Sequence, residues 1–194
     1  MRLNIIRHGI TGANEKRLYC GITDVALSEN GRRNLVTLKE TVKYPIADIY
    51  VSSGMLRATE TLGLIYDRAP DFIIPEFKEM DFGEFEMYSY EELKDKPAYR
   101  RWTEGGDRAA CPGGESREML DKRVTTGLDR LFRMDVGSAV IISHGGAIVS
   151  MLELLLNDTN NFYKWQPVNG RGYVVDFEIG PEYSYGNAVL VSEI

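Results

Sequence analysis

Histidine is nearly absent from this sequence of 194 residues: there are two, His8 and His144. Cysteine is as scarce, with Cys20 and Cys111 alone. Two such thiols make neither a disulfide framework nor a C-x-x-C pair, so the composition reads as that of a reduced, cytoplasmic protein. Two histidines without an H-x-x-x-H spacing fall short of the three or four ligands of a zinc site. No metal and no cofactor are therefore expected. Long hydrophobic runs are missing too. The longest mostly apolar stretch, residues 147–156, is interrupted by Ser150 and Glu153 and is too short to cross a bilayer. Arg2 and Arg7 break up the N-terminal residues, leaving no apolar core for a signal peptide. Nor is there an excess of positive charge. Lys and Arg number 23 against 29 Asp and Glu, a net charge of −6, which argues against nucleic acid or an anionic membrane as partner. An anionic small molecule stays open, because local charge decides a pocket.

What is present is a hydrophobic fraction of 43% and a charged fraction of 27%, the balance of a globular chain. The length fits one domain, spanning residues 1–194, with an insertion. Apolar β-branched runs at residues 3–6, 48–52, 71–74, 138–143, 173–179 and 188–192 predict strands. Helices are predicted at residues 28–43, with Ser28 as cap and Leu35, Leu38 and Val42 on one face, and at 56–66. A third, at 116–132, places Met119, Leu120, Val124, Leu128, Leu131 and Phe132 on one face, and a fourth, buried all round, covers 146–156. Residues 9–27 show no period and read as loop. The charged, Tyr- and Gly-rich stretch around 84–111 reads as the insertion, with short helices near 90–94 and 98–102. Strands alternating with helices predict a three-layer α/β sandwich: a mostly parallel sheet, helices on both faces, and late strands as an antiparallel edge.

In such folds ligands bind beyond the carboxyl ends of the strands. Both histidines sit there, in Ile5-Ile6-Arg7-His8-Gly9 and in Ile141-Ile142-Ser143-His144-Gly145-Gly146. Arg7 ends the first strand, and Arg57 falls in the first turn of the helix after the second, where a cation opposes the helix dipole unless an anion binds nearby. Gly145-Gly146 opens a helix and offers backbone N–H groups to an anion. Two His, two Arg and a helix start at one edge predict a pocket for a phosphate dianion, since guanidinium forks match phosphate oxygens. Phosphoryl transfer needs an acid for the leaving oxygen. Glu79, flanked by Phe77, Met80 and Phe82, and Asp81 are both candidates, and spacing does not choose between them. Glu76, Glu84 and Glu86 read as solvated charge.

The ordered set of motifs resembles the histidine phosphatase superfamily, the phosphoglycerate mutase-like family. It comprises Arg7-His8-Gly9 with Thr11 and Asn14, Gly21-Ile22-Thr23-Asp24, Leu27-Ser28 and Gly31, Ser52-Ser53, and Leu56-Arg57-Ala58 with Thr61. Glu79, Phe82-Gly83 and Phe85-Glu86, Pro112-Gly113-Gly114-Glu115-Ser116, and Ser143-His144-Gly145-Gly146 complete it. The resemblance implies that His8 is a phosphorylated nucleophile, that Arg7, Arg57 and His144 form the phosphate pocket, and that Glu79 is the proton donor. It further implies substrate contacts from Asn14, Thr11, Cys20, Gly21, Thr23 and Gly145. Gly54-Met55, Ala26 and Glu86-Met87 depart from the family's usual Pro-Leu, Pro and Glu-Gly, and none of these changes removes a charged catalytic group. The stretch Tyr19-Cys20-Gly21-Ile22-Thr23-Asp24, and Tyr90-Glu91-Glu92-Leu93 onward through Tyr99 and Trp102, resemble the α-ribazole phosphatase branch.

The resemblance therefore implies a metal-independent phosphomonoesterase acting on a small phosphate ester such as α-ribazole 5′-phosphate, as monomer or homodimer. Neutral His8 would attack phosphorus, and Arg7, Arg57 and a protonated His144 would hold the phosphoryl oxygens. Tyr88, Tyr90, Tyr99 and Trp102 either stack on the leaving group or simply pack the insertion onto the body. A mutase and a non-catalytic phosphate-binding protein are the other classes left open.

Overall fold

The computed structural model describes residues 1–158, 164–178 and 187–194. Strand β1 (Arg2–Arg7) lies at the centre of a six-stranded sheet. Its neighbours are β4 (Ser138–Ser143), parallel to it, and β5 (Gly172–Asp176), antiparallel. β2 (Ile49–Ser52) pairs parallel with β4 and with β3 (Phe72–Ile73), and β6 (Val189–Glu193) closes the other side antiparallel to β5, giving the order β3-β2-β4-β1-β5-β6. The expected parallel sheet with a late antiparallel edge is therefore present. Residue 179, expected at the end of β5, lies outside the described residues.

Period-2 alternation sorts the β1 side chains onto two faces. Leu3 and Ile5 join a cluster with Ala139 and Ile141, covered by helices α6 (Arg117–Phe132) and α7 (Gly145–Leu156) through Leu120, Val124, Leu128, Ile148 and Leu152. Ile6 faces the other way with Val140 and Ile142, under α2 (Glu29–Thr41) and α3 (Leu56–Tyr66), which supply Leu35, Ala58, Leu62 and Ile65. Each of the buried Leu, Ile and Val side chains among these contributes roughly 1.5–3 kcal/mol of transfer free energy. Helices on both faces make the expected three layers. Ser28 and Ser116 cap α2 and α6, accepting the N–H groups of Gly31 (3.0 Å) and Met119 (3.2 Å).

Three local expectations are corrected. Met119 is 52% exposed, so α6 buries its face through Leu120, Val124, Gly127, Leu128, Leu131 and Phe132 instead. Met119 follows the cap by three positions and falls on the solvent side of the first turn. The loop of residues 9–27 contains a short helix, α1 (Gly12–Glu15), made by a reciprocal cap in which the Thr11 side chain accepts from Asn14 N and Asn14 Oδ1 accepts from Thr11 N. A four-residue helix is too short to leave a period. β3 is only two residues long and exposed, since it sits on the edge of the sheet. In the charged segment, α4 (Tyr90–Leu93) and α5 (Pro97–Glu104) stand where short helices were expected. They follow 3₁₀ turns at Pro75–Phe77 and Gly83–Phe85. Among the described residues no helix is long and apolar enough to cross a membrane.

Candidate active site

Because β1 and β4 run parallel with Arg7 opposite Ser143, the next residue of each strand emerges at the same edge. His8 and His144 stand side by side there, ring centroids 5.0 Å apart, and both are buried. The His8 Nδ1 atom lies 2.6 Å from the Gly9 carbonyl oxygen. A carbonyl only accepts, so Nδ1 carries the proton and Nε2 keeps its lone pair. The backbone around His8 is fixed by Asn169, whose Nδ2 donates to the carbonyls of His8 (2.9 Å) and Gly9 (3.3 Å), and by Thr61, whose Oγ1 accepts from Gly9 N (2.9 Å). Burial pushes the His8 imidazole well below its ordinary pKa, and the charges of Arg57 and Arg7 push it further; the bond to Gly9 opposes them only in part. His8 is therefore neutral near pH 7.

His144 is also pushed well down, by burial first and then by His8, Arg57 and Arg7. Its hydrogen bonds agree. Arg57 Nε donates to His144 Nδ1 (3.2 Å), so the ring proton is on Nε2, which donates to Ser53 Oγ (2.8 Å). The expectation of a protonated His144 is thus corrected: two neighbouring guanidinium groups and full burial keep it neutral here.

Arg57 is fully buried, and its remaining nitrogens donate to the carbonyls of Gly21 (2.7 Å) and Thr23 (3.0 Å). Arg7 donates to the Pro167 carbonyl (2.8 Å), while its Nε is buried with no partner in the protein. Arg7 itself lines the cavity, where a guanidinium fork suits an anion's oxygens. Glu79 completes the group. Its Oε1 accepts from Met80 N (2.9 Å) and its Oε2 from Gly146 N (3.0 Å), the second residue of α7. The helix start therefore already holds a carboxylate, and Gly145, expected as a substrate contact, is buried and does not line the cavity. A Cβ at Gly146 would come within 2.6 Å of Glu79 Oε1, so a larger residue there displaces the carboxylate from its present place.

A cavity of about 740 Å³ opens from this point. Arg7, His8, Asn14, Cys20, Glu79 and Gly146 line it, whereas His144 and Arg57 lie behind His8 in the layer beneath. Asn14 Oδ1 faces Thr11 N, Thr11 Oγ1 and Asn169 Nδ2, which leaves its own Nδ2 for the cavity. Thr11 is buried and acts as the helix cap, off the cavity wall. Gly21 and Thr23 are brought near, but both N–H groups and the Thr23 hydroxyl are engaged by Glu86, which accepts from Gly21 N (2.9 Å), Ile22 N (3.1 Å), Thr23 N (3.2 Å), Thr23 Oγ1 (2.6 Å) and Phe82 N (3.1 Å). Glu86, read from sequence as solvated charge, is the anchor of this loop. A Cβ at Gly21 would lie 1.8 Å from the Met80 carbonyl, so the close approach needs glycine. Of the four insertion aromatics expected to meet a leaving group or pack the insertion, Tyr99 and Trp102 line the cavity, and Tyr88 and Tyr90 do not. The two lining rings also pack with Tyr19, Phe82 and Phe85, which is the packing reading of the insertion.

Several positioning residues escaped the sequence reading. Arg123 makes a two-point contact with Glu115 (2.9 and 2.8 Å) and donates to the carbonyls of Glu76, Lys78 and Glu79, which fixes the backbone that carries Glu79. Asn169 and Gln166 come from one segment ahead of β5 that no local pattern marks, and Ser53, though part of the Ser52-Ser53 motif, was given no role. Among the described residues no group of three His, Cys, Asp or Glu is spaced to hold a metal ion.

The comparisons with known proteins agree with this geometry. The profile of the Histidine phosphatase superfamily (branch 1) matches residues 3–182. The adenosylcobalamin/alpha-ribazole phosphatase of Salmonella typhimurium strain LT2 is 32% identical over 161 residues, 80% of each chain. Phosphoglycerate mutase-like protein 4 of Arabidopsis thaliana is 31% identical over 158 residues, 77% of this chain and 68% of that one. A crystal structure of a putative alpha-ribazole-5′-P phosphatase from Escherichia coli superposes with a TM-score of 0.84 at 26% identity, covering 98% of this chain and 94% of the other. With the paired histidines, Arg7, the buried Arg57 and Glu79 gathered at one sheet edge, these matches establish that the chain belongs to the histidine phosphatase superfamily.

Proposed function

We propose that this protein is a phosphomonoesterase that works through a phosphohistidine on His8. One observation carries the reading: a neutral imidazole, its Nδ1–H tied to the Gly9 carbonyl, shares a cavity end with Arg7 and a carboxyl group held by Gly146. His8 Nε2 attacks phosphorus in line, the P–N bond forms, and the ester P–O bond breaks. The leaving alkoxide takes its proton from the Glu79 carboxyl. Water then attacks the phosphohistidine and gives its proton to the Glu79 carboxylate, and inorganic phosphate departs. The Arg7 guanidinium meets the equatorial oxygens, with Asn14 Nδ2 beside it. Arg57, behind His8, adds positive charge and keeps the imidazole neutral, and His144 aligns Arg57 through the Nε–Nδ1 bond. The cations come from side chains, so no metal is needed.

The substrate we assign is a small organic phosphate of the α-ribazole 5′-phosphate type. The names of two relatives and the aromatic wall of the cavity support it. Phosphate release from a panel of phosphomonoesters, with EDTA present and His8→Ala alongside, tests both levels. Turnover of the ribazole ester that is lost in His8→Ala supports the proposal. Full activity in His8→Ala, or interconversion of 2- and 3-phosphoglycerate in place of hydrolysis, overturns it.

A further inference from the structure

Helix α7 is apolar except where Ser150 and Glu153 interrupt it, and neither residue takes part in the chemistry above. Gly146, Ser150 and Glu153 are spaced i, i+4, i+7 and share a face. Gly146 and Glu153 both line the cavity, so the cavity follows α7 from the reacting centre for two turns. Seven residues at 1.5 Å each put Glu153 about 10 Å along the helix from Gly146. Across from it, α6 contributes Arg117 and Asp121. Arg117 bridges Asp121 and Glu153, and Ser150 Oγ donates to Asp121 Oδ1. Glu153 is nine-tenths buried and lines the cavity, and its Arg117 contact is made through Oε2, which leaves Oε1 without a hydrogen bond among the described residues. Asp107 of the insertion adds a third carboxylate, against the single guanidinium of Arg117. Between the two ends run the rings of Tyr19, Phe82, Tyr99 and Trp102.

We infer that Glu153, with Asp121 opposite, forms a second recognition point at the far end of the cavity that reads hydrogen-bond donors on a nucleoside-sized, uncharged or cationic leaving group. The inference rests on the phosphatase reading and extends it to the leaving group. A three-carbon phosphate ends well short of Glu153, and its own carboxylate meets a wall of like charge. A planar ring with a sugar fills about 10 Å, stacks on the aromatic wall and presents hydroxyl or N–H donors to Glu153 Oε1.

The test is a ratio. Steady-state kcat/KM is measured for α-ribazole 5′-phosphate and for 4-nitrophenyl phosphate, which is too short to reach Glu153, in the full-length protein and in Glu153→Gln and Asp121→Asn. Removing the charge from one hydrogen bond lowers the ratio of long over short substrate about tenfold in Glu153→Gln, mostly through KM, and in the same direction in Asp121→Asn. The ratio for 3-phosphoglycerate over 4-nitrophenyl phosphate rises. An unchanged ratio in both variants overturns the inference, as does a parallel loss on both substrates, the mark of a structural ion pair. Failure of the phosphatase reading shows separately, as absence of 4-nitrophenyl phosphate hydrolysis in the unmutated protein.

Discussion

Replacing Glu86 tests whether the geometry around His8 depends on a loop rather than on the catalytic groups alone. Its carboxylate accepts from five donors on two segments, Gly21 to Thr23 and Phe82. In Glu86→Ala, water replaces the bond to the exposed Ile22. Gly21 is buried, and a charge-assisted bond lost there costs about 1.5–3 kcal/mol; the half-buried Thr23 and Phe82 donors add about 1 kcal/mol or less each. The expected destabilisation is about 3–5 kcal/mol. Glu86→Gln keeps the shape and one acceptor and is expected to cost about half of that. The effect on turnover follows from the other side of the loop. The carbonyls of Gly21 and Thr23 hold Arg57, and Arg57 holds His144. A loop displaced by about 1 Å misplaces that charge and lowers kcat by about 10²-fold. Urea unfolding gives the first quantity, and steady-state kinetics on an aryl phosphate at saturation gives the second. Glu86→Ala with stability within about 0.5 kcal/mol of the parent, well under one charge-assisted bond, and kcat within twofold would refute the reasoning.

Three further predictions follow from the same contacts. His8 and His144 are held neutral, with native pKa values below the ordinary 6.5. They leave stability untouched above that pH, but below it the unfolded chain binds protons that the native state does not. Stability therefore falls with acid at up to about 1.4 kcal/mol per pH unit for each histidine, and urea unfolding between pH 7.5 and 5.5 shows the slope reduced in His8→Gln. Gly146→Ala puts a methyl group into the Glu79 carboxylate, so kcat drops by about 10²-fold while the fold, read by thermal unfolding, stays cooperative. Arg123→Ala releases the backbone of Glu79 and leaves Glu115 unpaired. Burial alone would push the Glu115 carboxyl up, but Arg123 and the Asp81 N–H outweigh it and hold it below 4.5, so the parent gains stability above that pH and loses it as acid protonates the group. The variant is expected to lack that acid-side loss and to be less stable at pH 7, which unfolding curves at pH 7 and pH 4 check.

The strands and the edge at which His8, Arg7 and His144 emerge were legible because they lie within short apolar runs whose ends are marked in the sequence. Arg57 was legible by its place after β2, and Glu79 only through the family resemblance, since Asp81 fits the same spacing. Glu86 and Arg123 were not, because their importance comes from donors and carbonyls brought in from other segments, as with Gly21 and Phe82 for Glu86. The neutral state of His144 was also beyond the sequence. It depends on burial and on two guanidinium charges whose distance only the folded chain fixes. Met119 misled for the opposite reason: an apolar residue in the first turn of an amphipathic helix fits the periodic face by type, yet points to solvent.

The central claim is that phosphorus passes through His8. The most direct measurement is a rapid quench of the protein with a phosphate ester labelled in its phosphoryl group, followed by peptide mapping. The account predicts one label on the peptide containing His8, stable to alkali and lost in acid as a phosphoramidate is, formed at least as fast as turnover and absent in His8→Ala. Label on another residue, or hydrolysis proceeding at full rate with His8 never labelled, would contradict it.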